Sequence, residues 1–441
     1  MTTTQRRIAL LTGASLATLG VAAPAAAATT NNPGILHSTT AGSPTDVLTI
    51  CLAGSTCDYG IDASGSGLVT SNPAGGGGNN IAQVVIGTTA SATGTIVNHG
   101  TAEIDGHATA SGAGSQTAQA HVVTGIFQHV GAVTDAVAID LNDGTLTIDA
   151  SANAHSTGAA AVASATMNWG IGAQRATSTS VGNASALLTN HGALGISANA
   201  HATGASSAVA NAAIASVGGG FGGTGIWQVA NQQGTGNALV AISNTGTLHI
   251  GASAVAIATT GSASANAAIQ QGIVQSANAA NGSANANITN AAGGTIGITA
   301  FAHAHGSGGT GQANASISGA GISQNANGSL ASVDLSNAGT INIHATAIAT
   351  GTTGFNTAHA VINNAILQNA SATTTASAKL TNAAGGVISI VAHDTANGGN
   401  ANAGTVGGSN GASVDGGIVQ NATAGTGSAS ATITNHGSIT I

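Results

Sequence analysis

One asparagine returns about every 48 residues. It stands in a motif close to Ile/Leu-x-Asn-x-Gly-Thr-Ile/Leu-x-Ile, at Asn98, Asn142, Asn190, Asn244, Asn290, Asn337, Asn382 and Asn435. Seven intervals span 337 residues, a mean period of about 48. A second motif, Gly-Ile-x-Gln-x-Ala, falls once in each interval, with its glutamine at Gln128, Gln174, Gln228, Gln275, Gln324, Gln368 and Gln420. Gln174 sits in a lengthened version, and Ala365 replaces the glycine before Gln368. Two motifs in fixed order at one period are the mark of a repeat architecture, in which a single unit cannot bury its own apolar face and must stack on its neighbours.

The residues between the motifs define the unit. Strands alternate sides at every residue. After Asn190 the even offsets are Leu194, Ile196, Ala198, Ala200 and Ala202; the odd ones are Gly195, Ser197, Asn199, His201 and Thr203. The stretches after Asn142 and Asn337 repeat the pattern, with Asp394 an exception on the inner face of a later unit. A second long strand precedes each glutamine, as in Ala263, Ala265, Ala267, Ile269, Gln271, Ile273 and Gln275. A third, shorter strand leads back to the asparagine. Alanine favours helix, but strict period two over ten or more residues, with frequent glycine and β-branched residues, predicts strand. The expected fold is an all-β solenoid with an alanine-lined, narrow core. Alanine offers little area to bury, so backbone ladders and stacked amides must carry much of the stability. The asparagine and glutamine columns are expected to form side-chain ladders between coils. Whether 48 residues make one wide coil or two ordinary ones stays open.

Residues 1–28 read as a secretory leader. Arg6 and Arg7 precede an apolar stretch that ends in Pro24 and a run of alanines. General secretion and twin-arginine export both fit. Loss of the leader takes two of the four Lys and Arg residues and moves the formal charge from −8 to −10. Arg175 and Lys379 remain, too few to neutralise a nucleic-acid backbone or an anionic membrane, so neither is expected as a partner. Residues 29–97 form an N-terminal segment and candidate cap. In it Cys51 and Cys57 predict one small disulfide loop, and Gly75–Gly78 reads as a linker without the lysine of a phosphate-binding loop. Residues 98–441 carry the solenoid repeats.

Candidate chemistry is sparse. Only 4% of residues are charged. Asp140, Asp143 and Asp149 lie around one turn, and paired carboxylates of this kind serve polysaccharide-cleaving enzymes. Such enzymes also need basic residues for acidic sugars, so no enzyme, catalytic residue or cofactor is expected. His107, His155, His201, His249, His303, His305, His344 and His393 fall on odd offsets, facing outward. His303 and His305 share a face and are the best pair for chelating a metal, though an outward histidine is also simply tolerated beside serine and asparagine.

The Asn-x-Gly-Thr-Ile-x-Ile turns, the secretory start and the Ser/Thr/Asn/Ala/Gly bias resemble autotransporter passengers and filamentous-haemagglutinin-like adhesins, over about Asn98 to Ile441. The resemblance implies export to a Gram-negative surface, an adhesive or biofilm role, and glycans or proteins of a host or neighbouring cell as partners. The chain departs from that family in lacking a C-terminal membrane barrel. Its last residues stop inside a strand of the next unit, which leads us to expect a fragment of a longer protein or an end that joins another copy. The stretch "GIVQNATAGTGSASATITN" is distantly similar to curlin repeats at about twice their period. That likeness implies a self-assembling matrix fibre.

Overall fold

The computed structural model describes residues 35–71, 79–215, 223–403 and 411–441. The leader and the glycines at 75–78 lie outside the described residues. Those described form strands joined by short turns, and no helix is found among them.

One coil shows the plan. It has a short strand, Ala136–Asn142, a middle strand, Thr145–Ser156, and a long strand, Ala160–Ser178. Each pairs in parallel with its counterparts one repeat before and after. Asn142 lies opposite Asn98 and Asn190, Leu146 opposite Ala102 and Leu194, and Gln174 opposite Gln128 and Gln228. Ladder neighbours are therefore a whole repeat apart, so the repeat is one wide coil and not two.

The coil is flattened. The long strand contacts both the middle and the short strands, which lie nearly end to end with the asparagine turn between them. Nineteen residues in the long strand at ~3.3 Å each make a coil roughly 60 Å wide. From the level of Cys51 to that of Asn435 the stack rises about 40 Å at the usual inter-strand spacing. In the later coils the turns tighten until strands run on unbroken, as in Gly311–Asn337 and Thr340–Asn382.

Alternation holds along the strands. In Ala193–Gly204 the residues Leu194, Ile196, Ala198, Ala200 and Ala202 are buried, while His201 is exposed. Two apolar clusters result. The larger, of isoleucine and alanine, lies between the middle strands and the first part of the long strands. The smaller, almost all alanine with some valine, lies beyond the glutamines.

The stack starts earlier than Asn98. Ile35–Ala41 pairs with Asn79–Gly87, Thr45–Cys51 with Ala92–Asn98, and Ile61–Gly65 with Thr101–Gly112, all in parallel. The described residues from Ile35 to Ser71 thus pair in parallel with the coil that follows, as the repeats do with one another. The diverged sequence hid this, because Cys51 takes the register position of the asparagine.

Candidate functional site: amide columns, outward histidines and a charged corner

The eight asparagines form one continuous column. Each Nδ2 donates to the Oδ1 of the next asparagine at 2.7–2.8 Å, from Asn98→Asn142 through Asn382→Asn435. The same Nδ2 also donates to a backbone carbonyl of the following coil, as Asn190 does to Thr247 O at 3.0 Å. These contacts fix which end of each amide is nitrogen. The side chains of Asn190 to Asn382 are fully buried, and their hydrogen bonds satisfy groups that would otherwise be costly inside an apolar core.

The glutamines form a second column of opposite sense. Gln228 Nε2 donates back to Gln174 Oε1 at 2.7 Å, and Gln275 back to Gln228 at 2.9 Å. The column runs on through Gln324, Gln368 and Gln420. It begins one coil before the motif is recognisable in the sequence. Gln128 donates to Gln83, whose own Nε2 reaches Asp46 Oδ2 at 2.9 Å. Gln83 lies one period before Gln128, so carrying the repeat backward finds it.

The three aspartates expected around one turn end in three environments. Asp143 lies in the turn, between His99 Nδ1 (3.1 Å) and His191 Nδ1 (2.8 Å). Asp149 lies on the outer face. Asp140 points inward, at a position held by Ile96 and Leu188 in the neighbouring coils. Both its oxygens are buried without a hydrogen-bond partner. It lines a cavity of about 10 Å³, room for one water. Burial pushes its carboxyl up to about 8. The structure therefore does not bring these carboxylates together as a catalytic pair.

None of the fifteen histidines is buried. His303 and His305 do share a face. His305 Nδ1 meets Thr350 Oγ1 at 2.7 Å and its Nε2 meets Ser307 Oγ at 3.0 Å, so hydroxyls occupy the ring nitrogens. Burial, and then His305, lower the proton affinity of His303. Among the described residues no third ligating side chain joins this pair. Cys51 and Cys57 form the expected disulfide, with Cα atoms 5.9 Å apart.

A charged corner lies beside that disulfide and was missed in the sequence. Asp62 sits one coil before His107 and directly opposite it in the ladder. Asp105 and His107 lie two residues apart on one strand, and Asp149 lies opposite Asp105 in the next coil. His107 Nδ1 is 3.0 Å from Asp105 Oδ2 and 3.2 Å from Asp62 Oδ1; its Nε2 is 3.3 Å from Asp149 Oδ2. Asp149 is held in turn by Ser197 Oγ and by Asn199 Nδ2 at 2.7 Å. Asp105 is only 6% exposed. Burial lifts its carboxyl to about 6 against the pull of His107, with Asp58, Glu103 and Asp62 adding to the rise. The hydrogen bond to Asp149 raises His107 to about 9 despite partial burial, with Asp105, Asp149 and Asp62 contributing.

No family model, curated protein or solved structure matches the chain. The class is defined by the fold itself, a β-solenoid of wide, flattened coils.

Proposed function

We propose that the chain is a secreted or cell-surface structural and adhesive solenoid, without enzymatic turnover. The observation that carries this reading is the continuous stack of parallel ladders and two amide columns, which builds a broad slab whose outer faces carry serine, threonine, asparagine and histidine. Such faces offer many weak hydrogen-bonding contacts, suited to glycans or proteins of a neighbouring surface. The leader at Arg6 and Arg7 and the closed Cys51–Cys57 disulfide support export to an oxidising compartment. The test is to express the full chain, recover it from the outer surface and sequence its N-terminus. A start near Ala28, with surface attachment lost when the gene is deleted, is the expected result. Retained Met1 on surface material, or attachment unchanged by deletion, would overturn the reading.

The amide columns also favour a second reading. In-register asparagine and glutamine ladders are the arrangement of cross-β assemblies, and a self-assembling matrix fibre would use them between chains. Purified residues 29–441 that grow seeded fibres would place the protein there. The same material remaining soluble and unseeded favours the adhesive slab.

A further inference from the structure

We propose that Asp62, Asp105 and His107 bind a divalent transition-metal ion of the zinc class, which clips the first coils of the stack together.

The argument begins with the tautomer of His107. Asp149 accepts from Ser197 and Asn199 on one oxygen, and its other oxygen faces His107 Nε2 at 3.3 Å. An ionised carboxylate only accepts, so Nε2 carries the proton. The other nitrogen, Nδ1, faces two carboxylate oxygens at 3.0 and 3.2 Å, and as a neutral imidazole His107 aims its lone pair at both. Three electron-pair donors, one from each side chain, lie within 4.8 Å of one another. That convergence is repulsive unless a positive charge sits among them.

Apart from a second proton on His107 itself, the chain's own cations do not supply it. Arg175 acts on His129, and Lys379 lies opposite Asp334. Yet Asp58, Asp62, Glu103, Asp105 and Asp149 bring five of the twelve acidic residues to this corner. Metal–ligand bonds of ~2.0–2.1 Å put neighbouring ligand atoms about 2.8–3.0 Å apart at octahedral angles and about 3.3–3.4 Å apart at tetrahedral ones, and the two nitrogen–oxygen separations lie within that span. A carboxylate on the far nitrogen of a ligating histidine is the usual outer-shell partner, and Asp149, held by two further donors, is placed as one. A Cβ on Gly60 would lie 1.1 Å from Asp105 Oδ1, so the glycine makes room for the buried ligand. One imidazole and two carboxylates suit zinc better than calcium or magnesium, which take oxygen ligands. Asp62 is 84% exposed at the side chain, leaving the outer position of the ion to water. Because Asp62 and His107 belong to adjacent coils, the ion would tie their strands together beside the disulfide.

The rival is an imidazolium that holds the carboxylates with a second proton and binds no metal. Purified residues 29–441, stripped with EDTA and dialysed, are titrated with zinc chloride by calorimetry, and cobalt(II) absorption reports the geometry. The expected result is one equivalent bound through this corner, with little competition from calcium. Asp62→Asn, a change at an exposed side chain, should weaken that equivalent at least tenfold. Asp149→Asn should weaken it by about 10–100-fold, as outer-shell losses do. A His303→Gln, His305→Gln double variant should leave it unchanged. Absence of a bound equivalent would overturn the proposal, as would binding that survives Asp62→Asn and His107→Gln but is lost in the histidine double variant.

Discussion

Asp140 is the residue most at odds with its surroundings. Its neighbours along the stack are Ile96 and Leu188, and its oxygens are buried unpaired. With the folded group at about 8 against an ordinary 3.8, the folded state holds a proton that the unfolded chain releases. The contribution of Asp140 to stability should then be highest below pH 4, fall between about pH 4 and 8, and level off above. The slope is at most ~1.4 kcal/mol per pH unit. Asp140→Leu should remove this group's share of the slope, leaving that of Asp105 and His107, and raise stability at pH 7 by a few kcal/mol, since leucine already fits the same position as Leu188. Denaturant unfolding from pH 4 to 9 checks it. A variant that is less stable at pH 7 with the slope intact would show that the carboxyl is satisfied by other means.

At the level of the element, the asparagine turn depends on what lies beside its glycine. A Cβ on Gly192 would lie 1.8 Å from Gly144 O, and one on Gly246 would lie 2.0 Å from Gly192 O. The stacked turns pack backbone on backbone, so Gly192→Ala should cost about 1–3 kcal/mol or more, read by unfolding beside the parent. Strand, face and turn were all legible in the sequence here, because period-two alternation and the recurring Asn-x-Gly leave few alternatives. The inward direction of Asp140 follows from the same parity, as it stands two residues before Asn142. Reading the three aspartates by sequence nearness concealed it. Other features were not legible. Asp62 and His107 meet only because one coil lies on another, and the first coil carries Cys51 and Gln83 in place of clear motifs. The width of the coil was open as well, since a period of 48 does not say whether the chain closes once or twice. The long strand, facing two shorter ones in line, answers that only in three dimensions.

For the whole molecule, stacking of equivalent coils makes stability nearly a sum over neighbours. Deleting residues 143–190 joins Asn142 to His191 and removes one complete coil with register kept. The product should fold, with small-angle scattering showing a stack shorter by about 4.8 Å and an unchanged β spectrum. Deleting half as many residues, 143–166, should abolish folding, because it would set the inner alanines against a turn. A half deletion that folds as well as the full one would mean the coil is not the unit of cooperativity.

The opposed sense of the two columns bears on how tall such a stack can grow. Aligned amides sum to a dipole along their row, as peptide units do in a helix. Asparagine donors point toward the C-terminal coils and glutamine donors toward the N-terminal ones, so the two rows largely cancel. Each added repeat brings one column amide of either sense, so these two rows build up no charge separation along the axis. On this account the two columns set no electrostatic limit on repeat number, and a coil added or removed needs no retuning of the ends.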